Sequence, residues 1–201
     1  MASKKTQYIT NAALIAALYV VMTFLANMVG LASGAIQVRL SEALNMLVCF
    51  TPAAVPGMFV GCIAANLLTE GVPLDLIFGS LATLIGVAIG RKIATINNDK
   101  FKMLVPIPTI LSNALIVPLV LQKGYGIDLP FHYLLATVGI GEIISAGFLG
   151  LMLYFALMKV PQFRRATIHA VEDNKMKSAQ KAKRRTEYAV KADREDIEKE
   201  N

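Results

Sequence analysis

Long apolar runs constrain this chain more than any other feature of its sequence. A helix needs about 20 mostly apolar residues to cross the hydrocarbon core of a bilayer. Six apolar runs are separated by polar or turn-forming residues, at positions 8–29, 40–50, 53–68, 74–89, 104–121 and 131–158. The second run is short, so we expect its helix to be tilted, broken or shielded by neighbours, because lipid cannot satisfy exposed backbone groups. The sequence predicts an all-α, polytopic membrane protein with a six-transmembrane-helix bundle.

The charged residues divide the chain into two regions. Residues 159–201 carry 20 of the 34 charged side chains, which leaves 14 for the first 158 residues. Soluble domains use roughly 25% charged residues, so an ordinary soluble domain is excluded there. We predict a six-helix transmembrane domain at 1–158 and a charged tail, helical or disordered, at 159–201. The basic pI of 9.4 comes largely from this tail, which suits membrane lipids and gives no reason to expect a nucleic acid partner.

The distribution of Lys and Arg between the loops predicts the orientation. Six crossings place both termini on one side of the membrane. That side holds most of the basic residues, whereas only Arg39 and Lys123 fall on the other side. Cytoplasmic loops carry the excess of Lys and Arg. Both termini are therefore predicted to be cytoplasmic.

Motifs for bound cofactors and for catalysis are missing from the sequence. No G-x-x-x-x-G-K-[ST] motif for ATP phosphates occurs, and no His, Cys, Asp or Glu residues have metal-ligand spacing. The two histidines, His132 and His169, have no nucleophile or acid nearby in sequence. We expect neither an enzyme nor a chain that binds a metal or cofactor itself.

Small residues recur at four-residue spacing in several of the runs. Such rows allow close approach of helix backbones where lipid offers no hydrophobic driving force. Packing within the molecule is the ordinary explanation for the rows at 57/61/65 and 82/86/90. The first run contains a strip that is better placed for an external partner, formed by Ala12, Ala13, Ala16 and Ala17.

Polar residues cluster between the first two apolar runs. Gln37, Arg39, Glu42 and Asn45 all lie within nine residues. Ser41 is a candidate N-cap for the second helix, which would place Glu42 in the first turn and Asn45 on the same face. Ionisable groups at membrane depth indicate function by default. A simple ion pair between Arg39 and Glu42 at the outer interface is the alternative.

Glu142 lies deepest of the charged residues. It is about eleven residues into the last run, roughly 16 Å below the surface at 1.5 Å per residue. A carboxylate there needs a cation, several donors or a raised pKa. Pairing with Arg39 and contact with a ligand both remain open. Asn66 and Asn113 are candidates to line the same cavity or to bond between helices, and Asp75 is a candidate cap of the fourth helix.

Four segments of the chain, in order, resemble one family. They are SGAIQVRLSEAL at 33–44, TPAAVPG at 51–57, DLIFGSLATL at 75–84 and GIGE at 139–142. Together they are similar to the QueT family of queuosine-precursor transporters, which are substrate-binding (S) components of energy-coupling-factor (ECF) transporters. The resemblance runs through residues 1–158.

The resemblance implies a protein of the bacterial cell membrane that captures a queuosine precursor, a deazaguanine base. In such transporters a transmembrane coupling protein and two ATPases are separate chains, so ATP binds to the partners. The Ala-x-x-x-Ala strip of the first helix is the family's docking surface for the coupling protein. A stand-alone secondary carrier or small channel, acting as a homo-oligomer, is the alternative, and a scaffold without a ligand is a third possibility.

The chemistry of a guanine-like edge agrees with this resemblance. Such an edge offers adjacent N–H donors and a carbonyl acceptor. Glu42 or Glu142 can accept from the donors, while Gln37, Arg39 or an Asn meets the carbonyl. The hypothesis for the site is therefore Glu142 together with the 37–45 cluster.

Overall fold

The computed structural model describes residues 3–31, 38–69, 72–96 and 98–168, and a few tail residues as far as 182. These described residues form helices and contain no strand, which confirms the all-α prediction for them. Gln37 lies outside the described residues, so its predicted place in the site stays a prediction.

Within the described residues as far as position 158, seven α-helices and three segments of other helical type follow one another. The α-helices are α1 (Lys4–Met28), α2 (Ala54–Leu68), α3 (Ser80–Ala94), α4 (Asp99–Lys102), α5 (Ile107–Lys123), α6 (Phe131–Glu142) and α7 (Gly150–Met158). A 3-10 helix occupies Leu40–Cys49, and segments of the wider π type occupy Asp75–Gly79 and Ile143–Leu149. The first π segment leads into α3, and the second joins α6 to α7 without a break.

Local hydrogen bonds explain where the first helix begins and ends. The Ser3 hydroxyl accepts from the backbone N–H of Thr6 at 3.2 Å, which caps the first turn. At the other end Gly30 has φ 73°, and its N–H donates to the Asn27 carbonyl while the Leu31 N–H donates to the Ala26 carbonyl. This pair of bonds is the Schellman arrangement, which favours glycine at the left-handed position.

Ser41 does not cap the 3-10 helix, contrary to the prediction from its position. No side chain caps the start of that helix at Arg39. Ser41 lies one residue inside the helix and is fully buried, and its hydroxyl accepts from the Thr23 hydroxyl at 2.9 Å. Ser41 therefore ties the 3-10 helix to α1. Glu42 does fall in the first turn, as predicted.

Among the described residues, four helical stretches are long and apolar enough to span a membrane. They are Lys4–Met28, Asp75–Ala94, Lys100–Lys123 and Phe131–Met158. The helices Leu40–Cys49 and Ala54–Leu68 are apolar but shorter. At the usual rise per residue they reach roughly 20 Å and 22 Å, less than the core thickness of about 30 Å. The short second helix is therefore confirmed, and two short apolar helices pack against four long ones.

Glycines at the contact between α1 and α2 allow these helices to touch backbone to backbone. A Cβ atom at Gly57 would lie 2.8 Å from the Ala12 carbonyl oxygen, and one at Gly61 would lie 2.7 Å from Tyr19 Cβ. Gly57 meets the earlier residue of α1 and Gly61 meets the later one, so α1 and α2 run parallel. The 57/61 row is thus explained by packing within the molecule.

The row on α3 packs in the same way against α5. A Cβ atom at Gly86 would lie 2.5 Å from Thr109 Cα, and one at Gly90 would lie 3.0 Å from the Val105 carbonyl oxygen. The partners run in opposite order, so α3 and α5 are antiparallel. At one end of the bundle Arg91 donates to the Val48 carbonyl oxygen at 2.5 Å, which joins the end of α3 to the end of the 3-10 helix. We call this the basic end, because Arg91 and Lys92 lie there.

The outside of the bundle is apolar and part of its interior is polar. Large exposed side chains on the helices include Leu14, Val21, Phe24, Leu111, Leu115 and Phe148. Fully or nearly fully buried polar side chains include Glu42, Asn45, Thr83, Asn113 and Glu142. Soluble proteins show the reverse preference. The outer surface therefore suits lipid, and the buried polar groups are the ones that need an explanation.

The first part of the tail packs onto the basic end. Residues 161–168 are helical, and the Phe163 ring meets the Phe50 ring edge-on with centroids 5.3 Å apart. Phe50 also stacks with Tyr154 at 5.6 Å. Thr167 and Val171 are buried. The tail therefore begins as a helix docked against the bundle.

Candidate ligand-binding site

A cavity of about 230 Å³ opens at the end of the bundle opposite the basic end. Its wall is formed by the last turns of α1, α2 and α5, the start of the Asp75–Gly79 segment and the loop after α5. Polar side chains supply much of this wall, among them Tyr19, Thr23, Asn27, Arg39, Asn66 and Asp75. We call it the outer pocket. Its size suits a small polar molecule rather than a large one.

An ion pair between Arg39 and Asp75 crosses the outer pocket. Arg39 Nη2 lies 3.3 Å from Asp75 Oδ2 and 3.5 Å from Oδ1, and the side chains are 17% and 6% exposed. Burial is the largest influence and lowers the pKa of Arg39, but the neighbouring acidic groups, Asp75 foremost, together outweigh it and the pKa is raised. The position of Asp75 predicts a helix cap, but the side chain does not cap the helix. Its carboxylate oxygens bind Arg39 instead.

Tyr125, in the loop after α5, completes this rim. Its hydroxyl donates to Asp75 Oδ2 at 3.2 Å. Partial burial raises the pKa of Tyr125, and the neighbouring Asp75 carboxylate raises it further. The phenol therefore remains a neutral donor beyond the pH range in which a free tyrosine keeps its proton.

Glu42 lies in the interior behind the outer pocket, where two hydroxyl donors hold it. The Tyr19 hydroxyl donates to Glu42 Oε1 at 2.5 Å, and the Thr83 hydroxyl donates to the same oxygen at 3.0 Å. The second oxygen, Oε2, is buried and has no hydrogen-bond partner among the described residues. Since Tyr19 also lines the outer pocket, it links that cavity to the Glu42 carboxylate.

Glu142 and Asn113 form the second part of the polar interior. Glu142 ends α6 and is 3% exposed, and Asn113 on the neighbouring α5 is fully buried. Within the described chain Glu142 Oε2 has no hydrogen-bond partner, and neither amide atom of Asn113 has one. Glu142 lies close enough to Glu42 and Arg39 to interact with both charges. Glu142 does not form the direct ion pair with Arg39 that was left open, and neither does Glu42, because Arg39 pairs with Asp75.

Asn45 connects the 3-10 helix to the π segment before α7. Its Nδ2 donates to the Ala146 carbonyl oxygen at 3.4 Å, and its Oδ1 has no partner among the described residues. A Cβ atom at Gly150 would lie 3.1 Å from that oxygen. Segments of π type often occur at functional sites, because the wider turn disturbs the normal backbone hydrogen bonding.

Asn66 serves the structure as well as the pocket. Its Nδ2 donates to the backbone carbonyl oxygen of Asp75 at 3.1 Å, which joins the end of α2 to the start of the next helix. The expectation of a bond between helices is therefore met, although Asn66 also lines the outer pocket.

The structure thus places the predicted residues at two depths. Arg39 and Asn66 line the outer pocket, while the interior behind it holds Glu42, Asn45, Asn113 and Glu142. Sequence reasoning missed Tyr19 and Thr23, which contact Glu42 and Ser41. A signal for them existed, since Tyr19, Thr23 and Asn27 stand four residues apart on one face of an otherwise apolar helix.

The arrangement has more carboxylates than cations. Among the described residues, Glu42, Glu142 and Asp75 lie near one guanidinium, that of Arg39, which already pairs with Asp75. A buried carboxylate oxygen without a donor is costly, so the Oε2 atoms of Glu42 and Glu142 suit a ligand that donates hydrogen bonds. Within the described parts of the chain, no three His, Cys, Asp or Glu side chains are grouped to hold a metal ion.

The predicted docking strip on α1 divides into two faces. Ala12 and Ala16 are partly buried against α2 at Gly57 and Gly61. Ala13 and Ala17 are exposed on the outer surface. Only the second pair is open to another protein in this structure.

An apolar exterior, four helices of spanning length among the described residues and a polar pocket between the helices indicate an integral membrane protein. Residues 9–159 match the QueT transporter family, so the chain belongs to that family. That family is one of transporters rather than of enzymes. The resemblance seen in the four sequence segments is thereby confirmed.

One similar protein is the queuosine precursor transporter QueT of Lactococcus lactis subsp. cremoris (strain MG1363). The two sequences are 34% identical over 90 residues, which is 45% of this chain and 53% of the relative. The match thus spans about half the length of that relative. No solved structure matches the chain.

Proposed function

We propose that this protein is the substrate-capture subunit of an ATP-driven ECF importer for a queuosine precursor, a deazaguanine base. Family membership and the name of the Lactococcus relative support transport of such a precursor. The observation that carries the assignment to a site is the set of buried polar atoms without partners on Glu42, Asn113 and Glu142. Buried polar atoms without partners lower the stability of the fold, and a polar ligand that forms hydrogen bonds with them explains why they are there.

The donors and acceptors of a deazaguanine match this set. Its guanine-like edge carries adjacent N–H donors, which suit the free carboxylate oxygens of Glu42 and Glu142. Its carbonyl suits the Asn113 amide, whose Nδ2 is unused among the described residues. The ligand enters through the outer pocket and passes Tyr19, which lines that pocket and also contacts Glu42 in the interior.

We further propose six crossings with both termini in the cytoplasm. The parallel course of α1 and α2 requires the chain to return between them, and the 3-10 helix is the segment that does so. Neighbouring helices shield the short segments, since Met46, Val48, Cys49 and Met58 are fully buried. The excess of Lys and Arg at the basic end supports a cytoplasmic location for that end.

The coupling protein is proposed to dock on the exposed face of α1. Ala13 and Ala17 offer a smooth strip there, because their small side chains let another helix approach closely. ATP is then bound by separate ATPase chains. Replacing Ala13 and Ala17 by Leu should abolish co-purification of the coupling protein and ATPases. The matched control is Ala136→Leu, an exposed alanine on α6. Equal co-purification in all three proteins would contradict this docking face.

The function is tested by binding and uptake. The purified chain should bind queuine or one of its deazaguanine precursors more tightly than guanine or a panel of vitamins. Uptake into cells should stop when ATP is depleted and should survive a proton uncoupler. Uptake that stops with the uncoupler would instead support a secondary carrier in which the buried carboxylates relay protons. Tight binding of a vitamin alone would overturn the substrate assignment.

A further inference from the structure

A second cavity lies at the basic end, far from the outer pocket. Its volume is about 430 Å³, and it is enclosed by α4, the end of α7 and the helical beginning of the tail. We call it the tail cavity. The side chains that line it include Lys102, Met158, Arg164, Ile168, Val171 and Lys175.

The lining of the tail cavity is basic. Among the described residues that line it, Lys102, Arg164 and Lys175 stand against the carboxylate of Glu172, so the formal charge of these four side chains is +2. Lys102 is only 2% exposed, whereas Arg164 and Lys175 are exposed. One cation is thus fixed in the wall while two others converge from the tail. Such a concave, positive site favours an anion with several acceptor oxygens, such as a phosphate group.

An apolar surface adjoins these cations. Met158 is the last residue of the long span Phe131–Met158, and Ile168 and Val171 face the same cavity from the tail. The cavity therefore lies at the level where the apolar surface of the bundle ends, which is the level of lipid headgroups. A soluble phosphate would use the cations and leave the apolar wall unused.

We infer that the tail cavity binds the phosphate headgroup of an anionic phospholipid. The cations hold the phosphodiester, and Met158 with Ile168 contacts the glycerol and the start of the acyl chains. Anionic lipids are enriched where polybasic segments meet the cytoplasmic leaflet. Binding there ties the beginning of the tail to the membrane surface. The inference does not depend on what the outer pocket carries.

The test uses the full chain in nanodiscs that contain phosphatidylglycerol, phosphatidylcholine or a mixture. Native mass spectrometry then counts the lipids that stay bound after the disc is removed. The cavity variant is Arg164→Gln/Lys175→Gln. The matched control is Lys159→Gln/Arg165→Gln, which removes the same charge from exposed side chains next to the cavity that do not line it.

The wild type and the control should each retain one phosphatidylglycerol in preference to phosphatidylcholine. The cavity variant should retain it about fivefold less well for each cation removed. Added soluble glycerophosphate should not displace the lipid. If the cavity variant and the control lose phosphatidylglycerol equally, general surface charge explains the binding, and the inference is overturned. Displacement by glycerophosphate, or no preference between the two lipids, would overturn it as well.

Discussion

The contact between α1 and α2 differs sharply from the interior between the 3-10 helix, α5 and α6. At the first contact, glycines bring the backbones so close that even a methyl group does not fit. In the interior, carboxylate and amide groups are buried with atoms that have no partner among the described residues. The contact between α1 and α2 is tightly packed, whereas the interior holds buried polar groups that lower the stability of the fold.

We expect this difference to separate residues that serve packing from residues that serve the proposed ligand. Lipid supplies no hydrophobic driving force between helices, so close packing along α1 and α2 holds the bundle together. The buried polar groups without a partner among the described residues have the opposite effect, because each one lowers the stability of the fold. Changes at the two places should therefore affect stability and ligand binding in different ways.

The largest effect is expected at the packed contact. Gly61→Val should destabilise the protein by about 3 kcal/mol or more, because the new side chain meets Tyr19 and the backbone of Ala16. The measurement is thermal unfolding of the purified protein in detergent. Ala17→Val, on the exposed face of the same helix, is the control and should unfold close to the wild type. Equal stability of both variants would mean that the helices do not pack as described.

The next effect is expected at the polar interior. Glu142→Gln should weaken binding of the deazaguanine ligand by about 2 kcal/mol, or roughly thirtyfold in Kd, because a charge-assisted hydrogen bond is lost. Isothermal titration calorimetry on the purified chain measures it. Asp128→Asn is the control, because Asp128 is an exposed carboxylate in the loop after α5. An unchanged Kd for Glu142→Gln would remove Glu142 from the site.

Sequence reasoning predicted the parts of the molecule that depend on local pattern. Apolar run lengths gave the helices closely, including the short second one, and the small-residue rows at 57/61 and 86/90 do pack within the molecule. The depth of Glu142 along its run was enough to predict its burial. These features depend only on spacing along one helix.

The partners of the polar groups could not be predicted in this way. Arg39 pairs with Asp75, 36 positions away, rather than with nearby Glu42. Tyr19 reaches Glu42 from a different helix, and Ser41 turns to Thr23 instead of capping its own helix. Each outcome depends on which helices lie side by side, and one sequence contains no record of that.

A smaller effect, of opposite sign for stability and binding, is expected at Asn113. Asn113→Leu should raise the free energy of unfolding by about 1 kcal/mol, because a buried amide whose atoms have no hydrogen-bond partner among the described residues is replaced by an apolar group of similar shape. The same change should weaken ligand binding. Thermal unfolding and calorimetry on one preparation measure both. Loss of stability together with unchanged affinity would show that Asn113 serves packing, as Gly61 does.

The smallest effect is expected at the rim of the outer pocket. Tyr125→Phe removes one donor to Asp75 but leaves the Arg39 ion pair in place, so ligand affinity should fall by no more than about 1 kcal/mol. Tyr133→Phe, an exposed tyrosine on α6, is the control. Because burial and Asp75 raise the pKa of Tyr125, its proton stays on as pH rises towards the usual tyrosine pKa of about 10. The difference between wild type and Tyr125→Phe should therefore be the same at neutral and mildly alkaline pH. A difference that disappears in alkali would mean that the phenol ionises and that Asp75 does not hold it as described.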